Sequence, residues 1–92
     1  MPVLVAVDPA AGELRALYVE PAAQGAGVGS ALHEHAVAVL RGAGCGEAHL
    51  WVFAGNAHGR AFYERRGWQQ VAGSEARPDG WLAPALRYRR EP

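Results

Sequence analysis

The sequence predicts an α/β domain of the α+β type, with a mixed sheet and the element order β-β-α-β-α-β-β. Three observations carry that reading. Leu14 to Val19 is an apolar strand that runs through a short turn into a glycine loop, Gln24-Gly25-Ala26-Gly27-Val28-Gly29, and the loop opens onto a segment of helical periodicity. Glu47 to Phe53 is a second strand, dense in Leu, Trp, Val and Phe, and a strand after a helix after a strand argues a parallel unit. The third observation is size. The 92 residues, half of them hydrophobic, form one domain spanning 1–92, which buries only a little over about 60% of its unfolded surface.

Taken in order, Val3 to Val7 is a β-branched run closed by Asp8-Pro9-Ala10-Ala11-Gly12, whose proline and glycine make a turn. Glu13 to Val19 is the next strand and pairs with the first as an antiparallel hairpin, until Pro21 removes a donor and ends it. From Val28 the apolar positions Ala31, Leu32, Ala36, Val39 and Leu40 recur at helical spacing, which leaves Ser30, His33, Glu34 and Arg41 for solvent. Arg41 and Gly42 read as the helix stop. After the strand at Glu47 to Phe53, Asn56 stands at an N-cap position and Ala57 to Arg66 forms a short helix with Gly67 as its cap, at a cost of about 1 kcal/mol for Gly59 inside it. Trp68 to Ser74 and Leu86 to Arg90 complete the strands, joined through a Pro78-Asp79-Gly80 turn, and Trp51 and Trp68 belong to the core.

Composition excludes several classes. Nine basic and nine acidic residues cancel, so nothing points to nucleic acid, and no apolar stretch approaches membrane-spanning length. One cysteine, Cys45, cannot form an internal disulfide, and no signal peptide is present, so the cytoplasm is the expected compartment. The histidines, His33, His35, His49 and His58, lack ligand spacing, and no metal is expected.

The glycine loop is built for an anion. Glycines at 25, 27 and 29 let successive backbone N–H groups converge on one phosphate, and the helix that follows adds its positive end. Two nucleotide motifs fail: position 30, where a dinucleotide fingerprint needs glycine, is Ser30, and the chain has no lysine for a P-loop. With Gln24, Gly27 and Gly29 in that spacing, the sequence resembles the GNAT superfamily of acyl-CoA N-acyltransferases. The second stretch, LWVFAGNAHGRAFYERRGW, is similar to that family's second motif, with an asparagine after the strand and a tyrosine seven residues later in Phe-Tyr-Glu-Arg-Arg-Gly-Trp. The resemblance covers Glu13 to Trp68 and reaches the closing strand.

The resemblance implies acetyl-CoA as acyl donor and acetyl transfer to a primary amine by direct attack in a ternary complex. It assigns the pantetheine arm to the backbone of Leu17, Tyr18 and Val19, with the Val19 N–H as oxyanion donor, and the pyrophosphate to Gln24, Gly25, Ala26, Gly27, Val28, Gly29 and Ser30. Asn56 then bonds a pantetheine amide, and Tyr63, with an ordinary phenol pKa of about 10, protonates the leaving thiolate. Glu13 is a candidate base, since counting six residues to Val19 puts both on one strand face and some family members use a glutamate there; water is the alternative. Read from the residues alone, Tyr63 packs beside Phe62 and Asn56 caps its helix.

One departure stands out. A complete GNAT domain opens with a further strand and two helices, whereas this chain starts at what corresponds to a strand beyond them, a minimal or N-terminally truncated fold. The uncovered sheet near Val3 to Val7 leads to the expectation of a homodimer, or of a hetero-partner completing the fold. The acceptor is expected to be a small-molecule or peptide amine. The alternative function is a CoA-binding interaction or regulatory module, or an inactive fragment.

Overall fold

A computed structural model describes residues 3–19 and 27–92. Among them the elements run β1 (Val3–Asp8), β2 (Glu13–Val19), α1 (Val28–Gly42), β3 (Ala48–Phe53), α2 (Ala57–Glu64), β4 (Gln69–Gln70) and β5 (Ala85–Arg90). The α/β class and the order β-β-α-β-α-β-β are those the sequence predicts. Pro21 and the loop residues Gln24, Gly25 and Ala26 lie outside the described residues. The chain divides into two compact units, one built from the residues up to Ala48 with Glu91–Pro92, the other from His49–Arg90.

In the first unit, β1 and β2 pair antiparallel around a tip in which Gly12, at a left-handed φ of 64°, donates its N–H to the Pro9 carbonyl at 3.3 Å. The tip rests on the segment before β3: the Cys45 thiol donates to the Pro9 carbonyl at 3.2 Å, and a Cβ at position 12 would meet the Glu47 carbonyl at 3.0 Å. The ladder slips once. Ala6 pairs with Ala16 and Val7 with Leu14, so Arg15 is an extra residue, a bulge in β2. Its guanidinium is drawn to Glu13 at 3.0 Å and Asp8 at 3.4 Å, both at the hairpin end.

Helix α1 packs on β1 and β2. Its buried stripe is His33, Ala36, Val37 and Leu40, spaced i, i+3, i+4, i+7, so the helix is rolled from the orientation expected. His33, expected in solvent, is fully buried, and Ala31, expected inside, is exposed. The helix also runs past Arg41. It ends where Gly44, at φ 80°, donates to the Arg41 carbonyl and Cys45 to the Leu40 carbonyl, the paired bonds of a Schellman cap, so Gly44 rather than Gly42 terminates it.

In the second unit the strand order is β3-β5-β4. Strand β3 alternates, with Ala48, Leu50 and Val52 buried and His49 and Trp51 half-buried. Trp51 is therefore not core: the Arg87 guanidinium lies over its ring at 5.2 Å. The core of this unit is Leu50, Val52, Trp68, Ala85, Leu86 and Tyr88. Strand β4 is two residues long where seven were expected. Gly73, at φ 69°, turns the chain away, and Ser74 bonds the Arg87 backbone through its hydroxyl before the chain rejoins β5 at a lone bridge, Ala76 with Ala85.

Candidate functional site

The expected site residues fall into two groups, one in each unit. In the first, Leu17, Tyr18 and Val19 form the end of β2, in register with Val5, Leu4 and Val3, and Val28, Gly29 and Ser30 form the first turn of α1. Gln24, Gly25 and Ala26 lie outside the described residues. Gly27 is the N-cap of α1, at φ 77°, a conformation that glycine adopts without penalty. It has no side chain to cap the helix, and the first turn holds no acidic residue, so neither satisfies the N–H groups of that turn. Among the described residues, no atom lies within 4 Å of where a Cβ of Gly27 would stand. An anion suits such a helix start, and in that respect the residues fit a bound pyrophosphate.

Glu13 is altered by the bulge. Pairing runs Glu13 with Asp8, Leu14 with Val7, Ala16 with Ala6, Leu17 with Val5, Tyr18 with Leu4 and Val19 with Val3, an odd number of steps from first to last. The register positions of Glu13 and Val19 therefore fall on opposite faces of the ladder, and the alternation that favoured Glu13 does not hold across Arg15.

The second group stands on α2. Asn56 caps the helix, its Oδ1 accepting from the Gly59 N–H at 2.9 Å, which leaves the Nδ2 donors for a carbonyl. A Cβ on residue 59 would lie 2.5 Å from Asn56 Nδ2, so the glycine that costs helix propensity is what admits this cap. Tyr63 lies in the last turn, packed edge-on against Phe62 at 5.3 Å between ring centroids and Trp68 at 6.1 Å. Burial pushes its phenol up to about 12. It is thus fully protonated at neutral pH, and a weaker acid than the unperturbed phenol expected. Below it the chain turns through Gly67, at φ 89°, in a second Schellman cap with Trp68 bonded to the Tyr63 carbonyl.

The polar contacts of three residues of this unit went unread in the sequence. Arg60 Nε donates to the Tyr88 hydroxyl at 3.1 Å, and that hydroxyl donates to Glu64 Oε2 at 2.6 Å. Burial, then the bond to Glu64, hold the Tyr88 phenol above its ordinary value. The only signal was the four-residue spacing of Arg60 and Glu64 on one helix face, because Tyr88 reads as core beside Leu86. Trp81 packs against Phe53 with its ring tilted by 54° and 4.6 Å between centroids.

The model of the acetyltransferase (GNAT) family matches residues 3–68. A mycothiol acetyltransferase of Beutenbergia cavernae is 46% identical over 65 residues, covering 71% of this chain and 22% of its own length. Among solved structures, nourseothricin acetyltransferase superposes with a TM-score of 0.78 at 28% identity, over 97% of this chain and 55% of that one. The PaiA N-acetyltransferase of Thermoplasma acidophilum, solved with coenzyme A, gives 0.66 at 24% identity over 87% and 45%, a likeness of fold. The chain thus spans about a fifth of the first relative and about half of the other two. With its glycine-led helix start and its tyrosine-bearing second helix inside the matched residues, the chain belongs to the acetyltransferase (GNAT) family.

Proposed function

We propose that the chain is an N-acetyltransferase, moving an acetyl group from acetyl-CoA to a primary amine by direct attack while both are bound. The observation that carries this reading is the start of α1, where a left-handed glycine, with open space beside it among the described residues, offers the following helix turn no side-chain cap. Acetyl-CoA supplies the acetyl group as a thioester. Gln24, Gly25, Ala26, Gly27, Val28, Gly29 and Ser30 hold its pyrophosphate through backbone N–H groups. The backbone of Leu17, Tyr18 and Val19 orients the pantetheine arm, and the Val19 N–H stabilises negative charge on the carbonyl oxygen. Asn56 donates from Nδ2 to an amide carbonyl of that arm. Tyr63, kept protonated by burial, gives its proton to the departing thiolate.

The acceptor is a small-molecule or peptide amine. An alkylammonium of pKa about 10.4 is almost wholly protonated near neutrality, so its proton must leave before attack. Water takes it in our reading. Glu13, paired with Arg15 and displaced in register, has the weaker physical case, and Glu13→Gln with unchanged pH dependence is the outcome expected. The single thiol of Cys45, which has no disulfide partner in the chain, suits the reducing cytoplasm. We also propose that residues 1–92 act as one domain that works as a homodimer joined through β1, because Val3 to Val7 is apolar at every position. Light scattering should return twice the chain mass; a monomer overturns the dimer, and a larger complex isolated from cells would show a hetero-partner instead.

Thiol release measured with a panel of amines tests the activity. The expected result is release that depends on the acceptor. Coenzyme A affinity without such release would make the chain a binding or regulatory module, and neither affinity nor release would make it an inactive fragment.

A further inference from the structure

Helix α2 carries both Asn56 and Tyr63, yet it has eight residues and none of them is fully buried. Apolar packing, chiefly Tyr63 against Trp68, is therefore only part of what fixes its roll and its position along its axis. Polar bonds supply the rest. The Arg60 guanidinium reaches three segments at once: Nη1 to the Ala54 carbonyl at the end of β3 at 3.1 Å, Nη2 to Gln70 Oε1 of β4 at 3.4 Å, and Nε to the Tyr88 hydroxyl of β5 at 3.1 Å. Tyr88, fully buried, passes the chain of bonds on to Glu64 at 2.6 Å, and Glu64 adjoins Tyr63. Arg60 and Glu64 are one helical turn apart, so the Tyr88 hydroxyl is held between two points of the same helix face, which fixes both rotation and translation.

We propose that Arg60, Tyr88 and Glu64 are positioning residues that hold α2 so that the Tyr63 hydroxyl meets the departing sulfur. This inference rests on the reading of Tyr63 as the acid. A proton donor must stand within hydrogen-bond reach of its acceptor, and a displacement of about 1 Å costs on the order of 10²-fold in rate. The network should therefore appear chiefly in kcat, with a smaller effect on the KM for acetyl-CoA through Asn56 at the head of the same helix.

The test compares Tyr88→Phe, Glu64→Ala, Glu64→Gln and Tyr63→Phe, alone and with Tyr63→Phe combined with each of the others, by acceptor-dependent thiol release. In Tyr88→Phe and Glu64→Ala, kcat should fall about tenfold or more with the KM for acetyl-CoA within about twofold. Glu64→Gln, whose amide oxygen still accepts from Tyr88, should keep kcat near that of the wild type. In the Tyr63→Phe background none of the three should cost anything further. Should Tyr88→Phe melt below the assay temperature, the two substitutions at exposed Glu64 decide the question by themselves. A wild-type kcat in Glu64→Ala, beside an impaired Tyr63→Phe, overturns the positioning role and leaves the acid standing. An unimpaired Tyr63→Phe, or a wild-type chain that releases no thiol, overturns both.

Discussion

The two helices of this chain are built on opposite plans. Helix α1 is 15 residues long, is anchored by a buried stripe, and begins on a glycine that offers no side chain. Helix α2 is half that length, begins on a side chain that reaches back to Gly59, and is secured by a branching set of polar bonds. Their C-terminal ends are alike, each a Schellman cap on a left-handed glycine, Gly44 and Gly67. Their N-terminal ends differ, one a bare glycine and the other a capping side chain. The difference teaches where each part of the proposed site is vulnerable: backbone donors tolerate side-chain changes and fail when a glycine is lost, whereas a side-chain donor fails with one atom.

The contrast can be broken most directly at Gly27. Gly27→Val forces a β-branched residue to φ 77° and fills the space beside the helix start, so coenzyme A binding should vanish by calorimetry. Gln24→Ala, by the same logic, should weaken binding only modestly. Equal affinity of Gly27→Val and wild type would mean that the helix start holds no phosphate. Tyr63→Phe is next, with turnover expected to fall by roughly 10²-fold while cofactor affinity holds. If turnover is unchanged while chemistry limits the rate, Tyr63 only packs.

A smaller effect is set by pH. Folding raises the Tyr63 phenol from about 10 to about 12, so the fold favours the protonated form. That contribution to stability is whole below about pH 10 and is lost as pH rises through about 12. Urea melts across that range should show the loss, and Tyr63→Phe should remove part of it, Tyr88 supplying the remainder. A melt series identical in wild type and Tyr63→Phe would contradict the shift. Smallest is the cap: Asn56→Ala should cost about 1 kcal/mol by thermal or urea melting, and no change would show that α2 does not depend on it.

Much of this was legible from local chemistry. The hairpin turn, the Asn56 cap and the Gly67 cap all follow from residue types acting on their near neighbours. What escaped depended on longer-range or geometric facts. Two glycines two residues apart, Gly42 and Gly44, both qualify as stops, and only the bonds to Arg41 and Leu40 choose between them. His33 joined the buried face because its stripe with Ala36, Val37 and Leu40 outweighs its polarity. The Arg15 bulge changed the parity of every count along β2 that crosses it, and with it the argument for Glu13. Arg60 was invisible for another reason: its partners Ala54, Gln70 and Tyr88 come together only in the folded unit.

The contact between Asn56 and position 59 reaches beyond stability into how this sequence can change over generations. Alanine at 59 alone would gain about 1 kcal/mol of helix propensity but set a carbon 2.5 Å from Asn56 Nδ2, displacing the amide that caps the helix and, in our reading, touches the cofactor. Once Asn56 has been replaced by alanine, no amide stands in the way and the same step becomes favourable. The worth of a mutation at one position thus depends on its neighbour three residues earlier. The two residues are therefore energetically coupled: alanine at 59 trades the Asn56 cap, and in our reading its grip on the cofactor, for helix propensity.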